Sequence, residues 1–391
     1  AVALVIFRLL STIPVPGIDP SKLQAFLSSP AGDIFGLFNI FSGGGLSKLS
    51  IVMLGVGPYI TASIVMQLLT MIFPKLKQMY QEEGEAGRAK FTQFSRILTV
   101  PLALIQGGGL LLVLQKSGVI THLTSFDLIV NVVVVIAGSL LLMWIGELMT
   151  EFGIGNGTSL IIFAGIVAAV PQHISQMLVT FSPSQIPLYI AFAVVGLLVI
   201  LGVVIVSEAE RPIPVTYAKR VRGSKVYGGV STYLPLRVNQ AGVIPIIFAL
   251  SLLLFPQMIF QFISSTVTNG TVKAISTFIL DILKNGWFYS IFYFILVFLF
   301  TYFYTAVTFD PHAISENLQK NGAFVPGVRP GQSTSEHIAK VLTRITLVGA
   351  IFLGLIAVLP LAMRAITGIQ SLAIGGTALL IVVSVVIDLI K

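Results

Sequence analysis

Apolar residues in this chain come in long unbroken runs, not at the three-to-four-residue intervals of a soluble amphipathic helix. Complete runs cover Ile51–Phe73, Ile97–Leu114, Leu128–Gly146, Leu160–Val179, Ile186–Val206, Val243–Ile263, Trp287–Phe309, Val341–Leu361 and Leu372–Ile390. Each is close to the roughly 20 residues that an α-helix needs to cross a hydrocarbon core of roughly 30 Å. A tenth run, Ala1–Ile13, is cut short and carries neither an initiator Met nor a basic leader. It reads as the remainder of a first span, not as a cleavable signal peptide, and both tails are expected to continue beyond the given ends. One further run breaks the pattern. Ile34–Phe41 is as apolar as a span, but at about 1.5 Å per residue it covers only about 12 Å. Gly43, Gly44 and Gly45 separate it from the next full run.

Composition agrees with this pattern. Hydrophobic residues make up 55% of the 391 and charged residues 10%, with a mean hydropathy of +0.98. Roughly a quarter of the residues in an ordinary soluble domain are charged, so the fold class is all-α integral membrane protein with about ten spans. Cysteine is absent, which excludes disulfides, thiolate metal sites and cysteine nucleophiles.

The net charge of +8 matters through its distribution more than through its total. Lys75, Lys77, Arg88, Lys90 and Arg96 fall between the second and third spans, and Arg211, Lys219, Arg220, Arg222, Lys225 and Arg237 between the sixth and seventh. Lys320, Arg329, Lys340 and Arg344 follow the eighth, while the opposite loops hold only Lys22, Lys48, Lys116, Lys273, Lys284 and Arg364. The positive-inside rule then puts both termini in the cytoplasm. Trp287 and Tyr289 suit a membrane-interface belt.

Two of the basic loops are longer than topology requires. Glu210–Val238 has β-branched and aromatic residues on either side of Arg222-Gly223-Ser224, which predicts a β-hairpin. Phe309–His337 pairs a short polar helix with a Pro/Gly-rich tip around Arg329. Structured loops of this length generally carry function, so the pair reads as a docking surface for an acidic or phosphate-rich partner.

Chemistry is sparse inside the spans. Arg8 lies in the first run, and Glu147, Glu151 and Asp388 sit near predicted cytoplasmic ends. His122, His173, His312 and His337 are all assigned to loops and form no H-E-x-x-H pair; no phosphate-cradling G-x-x-x-x-G-K-[ST] occurs. Gly153–Ser159 reads as a turn between spans. An aliphatic lining cannot relay protons, but it can close by dewetting and makes no fixed polar demand on a large, varied substrate.

Five motifs then add a family. SIVMLGVGPYITASIVMQLL (50–69), GEAGRAKFTQFSR (84–96), GELMTEFGIGNGTSLIIFAGIV (146–167), QAGVIPIIFA (240–249) and GAFVPGVRPG (322–331) stand in order along nearly the whole chain. Together they resemble the SecY family of protein-conducting channels. The resemblance implies two pseudo-symmetric five-helix halves, 1–179 and 180–391, around an hourglass pore. Residues 33–45 would then be a re-entrant plug, with Ile34, Phe35, Leu37, Phe38, Ile40 and Phe41 as its apolar surface and Asn39 as the polar exception. A half-span helix at membrane depth needs protein or a water-filled funnel around it, and glycines at 43 to 45 lower the cost of swinging it aside.

A pore ring follows from the same resemblance: Val56, Ile60, Ile162, Ile166, Ile247 and Ile381. So does a lateral gate between the second and seventh spans, with Thr61 and Gln67 facing Ser251 and Phe255. Pro58, Pro245 and Gly242 are expected to loosen these two helices. Arg329 matches the tip of the family's docking loop, and Lys219, Arg220, Arg222 and Lys225 form the second basic loop, at about 207–240 beside 309–340. Implied partners are SecE and SecG, the SecA ATPase, the ribosome with its RNA phosphates, signal peptides, unfolded preproteins and membrane lipid. The implied setting is the bacterial cytoplasmic membrane, with no cofactor and no catalysis. Three rivals stay open: a secondary transporter, which predicts polar groups converging in the spans; an intramembrane hydrolase, which needs a nucleophile and base; and an insertion chaperone with no through-pore.

Overall fold

The computed structural model describes residues 2–17, 42, 44–46, 48–81, 83–116, 118–120, 124–179, 186–217, 220–222, 225–227, 231–267, 270–367 and 375–390. Each of the ten apolar runs contains a helix: α1 (Val2–Leu10), α2 (Gly57–Ile72), α4 (Gly84–Lys116), α5 (Ser125–Phe152), α6 (Gly157–Val179), α7 (Ile186–Glu208), α8 (Ile244–Thr266), α10 (Gly286–Thr308), α12 (Gln332–Thr367) and α13 (Gly375–Ile390). Three shorter helices lie between them: α3 (Pro74–Gln81), α9 (Gly270–Lys284) and α11 (Pro311–Lys320). Among the described residues five helices are long and apolar enough to cross a membrane, or six if α2 and α3, bent by 117° where they meet, count as one.

The chain divides into two compact units, Ala1–Leu188 with Leu250–Tyr289 and Val385–Lys391, and Tyr189–Ala249 with Ser290–Ser384. In the first unit α2, α4 and α5 pack on one another, and α5 also packs on α6. Glycine permits the closest approaches. A Cβ on Gly138 of α5 would overlap the carbonyl oxygen of Ile51, and one on Gly157 of α6 would overlap that of Gly146. Ser139 Oγ donates to the Gly55 carbonyl at 3.0 Å, so residues 51–56 are held on α5 before α2 begins. α5 itself starts with a capping box, in which Thr124 accepts from the Asp127 amide and Asp127 accepts from Thr124. Asn156 caps α6, accepting from the amides of Thr158 and Ser159, so the expected turn is confined to 153–156 and Gly157 to Ser159 already belong to α6.

The second unit carries the sheet. β1 (Glu210–Tyr217) pairs antiparallel with β4 (Ser231–Arg237), from Glu210↔Arg237 to Thr216↔Ser231. β2 (Arg220–Arg222) and β3 (Lys225–Tyr227) continue the excursion as an antiparallel ribbon, with Arg222 opposite Lys225. The expected hairpin is therefore present. What the sequence did not disclose is β5 (Ala323–Phe324), which pairs with β1 through Thr216↔Phe324 and Tyr217↔Ala323 and joins both long loops in one sheet, ordered β4-β1-β5.

Two local expectations are corrected. Pro58 and Pro245 occupy the first turns of α2 and α8, where their missing N–H would have no intrahelical partner, so neither weakens its helix. The interior proline of α8 is Pro256. Three of the four histidines are helical, His173 in α6, His312 in α11 and His337 in α12; His122 lies outside the described residues. His312 sits in a short polar helix, and His337 in the polar first turns of the 36-residue α12.

Candidate functional site: gate helices and docking sheet

The six ring positions divide between the units. Val56, Ile60, Ile162 and Ile166 belong to the first, Ile247 and Ile381 to the second. Val56 is the residue that caps α2, and its carbonyl accepts from the Ile60 amide at 3.0 Å, so the pair spans the first helical turn. Ile162 and Ile166 lie one turn apart on α6. Val56, Ile162, Ile247 and Ile381 are buried, while Ile60 and Ile166 are half-buried.

The plug positions Ile34, Phe35, Leu37, Phe38, Asn39, Ile40 and Phe41, with Gly43, lie outside the described residues. The two described glycines after them are set by packing. Gly44 has φ +84°, and a Cβ on Gly45 would stand 2.8 Å from Ser50 Oγ and 3.1 Å from the Val52 carbonyl.

At the positions expected to form the gate, Thr61 Oγ1 donates to its own helix at Gly57 O, 2.9 Å away. Gln67 donates from Nε2 to Ser63 Oγ at 3.4 Å, and its buried Oε1 has no hydrogen-bond partner among the described residues. The same holds for the side-chain carbonyls of Gln106 on α4 and Gln257 on α8, which the sequence reading missed. Leaving such an acceptor unmet costs about 1–3 kcal/mol, a sum that a helix built only for packing would avoid with leucine. Ser251 is half-buried on α8; the side chain of Phe255 lies outside the described set.

Also missed was an ion pair within the first unit. Arg96 Nε on α4 meets Glu147 Oε1 on α5 at 2.8 Å, and Tyr59 on α2 lies close enough to interact with both charges. Three helices thus share one polar contact. Its members stand 51 residues apart in the α4–α5 pair, which no local pattern reports.

The region expected to dock partners is built like a small soluble domain. Beneath the sheet lies a core of Ile213, Leu236, Val325 and Ile338, with Phe309, Ile314 and Leu318 packed against it. Asp310 caps α11 by accepting from the amides of His312 (2.9 Å) and Ala313 (3.3 Å). The loop bearing Arg329 is strapped on both sides: Ser315 Oγ donates to Gly331 O at 2.6 Å, and Thr334 Oγ1 donates to Arg329 O at 2.8 Å. Gly327 (φ +84°) and Gly331 (φ +96°) make its turns. Arg329 is exposed at the tip. In the ribbon Arg222 pairs with Lys225 and Arg220 with Tyr227; Lys219 lies outside the described residues.

This architecture has counterparts. The sequence model of the SecY family matches residues 50–390. The chain belongs to the SecY family. Similar relatives include the protein translocase subunit SecY of Mycobacterium tuberculosis, 42% identical over 99% of this chain and 91% of the relative. The subunits from Mycobacterium leprae and Streptomyces coelicolor are 43% and 41% identical, each with the same two coverages. Among solved structures, a protein-conducting channel superposes with a TM-score of 0.68 at 19% identity, covering all of this chain and 89% of the other. A SecY structure whose plug domain stabilises the closed channel gives 0.67 at 20%, and Sec61 from a canine ribosome–channel complex of the endoplasmic reticulum gives 0.65 at 18%, both with the same coverages. This SecY-family chain is accordingly a multi-pass, all-α membrane protein with the channel fold.

Proposed function

We propose that the chain is the channel subunit of a bacterial Sec translocon, a passive gated conduit in the cytoplasmic membrane with both termini cytoplasmic. The observation that carries this reading is the match to protein translocase subunits over 99% of the chain at about 42% identity. In it the halves 1–179 and 180–391 surround the pore, and Val56, Ile60, Ile162, Ile166, Ile247 and Ile381 form a ring that fits around a passing chain and limits ion leak. Residues 33–45 plug the outer funnel. A signal peptide enters between α2 and α8, past Thr61, Gln67, Ser251 and Phe255, favoured by burial of its apolar area. Membrane segments leave to lipid by the same route. Work comes from outside. The SecA ATPase or a ribosome docks on Arg329 and on the ribbon bearing Lys219, Arg220, Arg222 and Lys225, where the arginines suit carboxylates and RNA phosphates. SecE and SecG complete the membrane complex.

The joined sheet supports the docking part of this reading, because a partner bound to either loop acts on both. The test is SecA-driven transport of a preprotein into proteoliposomes holding the complex. Arg329→Glu is expected to abolish transport while leaving the complex assembled. Undiminished transport would remove Arg329 from the docking surface.

A further inference from the structure

Helix α9 follows the proposed gate helix α8 after residues 267–269, at the end of α8 remote from the sheet-bearing loop. Its 15 residues sort into three stripes. Ser276 and Leu280, one turn apart, are buried. Lys273, Thr277 and Asp281 recur at four-residue spacing on a polar side. The third stripe is apolar and open: Val272, Ile275 and Phe278, the latter two 55% and 66% exposed. The polar stripe shows that α9 meets water, yet its neighbouring stripe offers large apolar side chains that nothing among the described residues covers. A helix exposed only to water would be polar over its whole outer surface.

We infer that α9 lies in the membrane interface, with Val272, Ile275 and Phe278 sunk into the lipid leaflet at the C-terminal end of α8. Three observations select lipid as the occupant. At 23 residues α8 is about 34 Å long, enough to carry the chain from one face of a hydrocarbon core to the other, so α9 starts at the far interface. The chain then turns directly into the next span. Asn285 Oδ1 accepts from the Trp287 amide at 3.2 Å to start α10, and Trp287 itself is 79% exposed at the first turn of that helix, where an interfacial tryptophan belongs. Beyond it α10 exposes Ile291, Ile295 and Leu299 at four-residue spacing, a stripe that faces lipid in any chain spanning a membrane. Along the chain the open stripe of α9 is thus followed, after Lys284-Asn285-Gly286, by the exposed apolar stripe of α10. It is also too small for a stable protein partner, which occupies roughly 20–30 residues a side. The consequence is mechanical: an α9 seated in lipid tethers the far end of α8 at a fixed depth.

The natural absence of cysteine makes the test direct. Single cysteines replace Ile275, Phe278, Lys273 or Thr277 in the full chain, co-purified with its small subunits in lipid nanodiscs, and carry a nitroxide. Collisions with dissolved oxygen, which concentrates in lipid, are compared with those of a water-soluble nickel chelate. The inference predicts an oxygen-to-nickel ratio several-fold higher at 275 and 278 than at 273 and 277. Equal, nickel-accessible values at all four would overturn it, leaving α9 in water. Protection of 275 and 278 from both reagents would overturn it in favour of a protein partner. A nitroxide at Ile295 is the control: if it too reads as aqueous, the spanning reading of α10 fails first.

Discussion

The α2–α4–α5 bundle and the docking sheet are two solutions to the problem of holding a backbone still. In the bundle, small residues let chains touch: Gly138 against Ile51, Gly107 with Leu54 at 3.2 Å from where a Cβ would stand, and one hydroxyl, Ser139, on the Gly55 carbonyl. Its polar side chains mostly satisfy themselves within their own helix, as Thr99 does on Ser95 O at 2.8 Å. Around the sheet the fixings are those of a water-soluble domain, namely a ladder, a cap, two side-chain straps and a four-residue core. The contrast follows from solvent. Lipid supplies no hydrophobic drive between helices, so packing and internal hydrogen bonds must hold them, whereas water drives the core of the sheet together. Basic side chains are then displayed from the part that water has made rigid.

The comparison can be broken at graded points. The largest effect on the melting of the whole complex is expected at Gly138→Ala, where the new Cβ meets backbone that cannot yield. Overpacking costs about 1–3 kcal/mol or more, so the thermal aggregation temperature of the complex in detergent should fall by many degrees. Gly108→Ala, on α4 with nothing within 4 Å of the new atom, should raise it slightly, since alanine gains about 1 kcal/mol over glycine in a helix.

Next comes Leu236→Ala beneath the sheet. A buried leucine truncation costs about 2–5 kcal/mol, but here the loss should stay local. Limited proteolysis should cut β1–β4 and the Arg329 loop faster, SecA-driven transport should drop, and the detergent melting of the helices should hardly move.

Smaller still is the charge pair. Glu147→Gln leaves Arg96 half-exposed and able to find water, so about 1–2 kcal/mol is expected, between surface and buried pairs. A double-mutant cycle with Arg96→Gln on the melting of the complex should reveal the coupling; strict additivity would mean the pair is ornamental. The smallest stability effect belongs to Arg329→Glu, within about 0.5 kcal/mol for an exposed loop tip, even though its effect on transport should be the greatest of all.

How much of this was readable beforehand depends on range. The apolar runs became helices because lipid-length apolar segments have no other way to satisfy their backbones. The ribbon was readable because a turn triplet sat between β-formers. By contrast β5 is two residues long and exists only by pairing with β1 more than 100 residues earlier, and Arg96 finds Glu147 only once α4 and α5 pack. Helix starts were misjudged for a local reason. The second run begins at Ile51, but residues 51–56 are spent as turns against α5, so α2 begins at Gly57 and Val56 is its cap. Helix α9 went unread because its apolar stripe is too short to count as a span. Ring, plug and gate positions rest on family resemblance alone, since nothing in the spacing of an isoleucine separates pore from lipid.

The central claim is a plugged aqueous conduit through this chain. Single-channel conductance of the purified complex in planar bilayers, intact and with residues 34–41 deleted, tests it most directly. The account predicts a silent membrane for the intact complex and large, flickering, weakly selective openings after the deletion. Silence from both at every voltage, with insertion verified, would contradict it and leave an insertion chaperone with no through-pore.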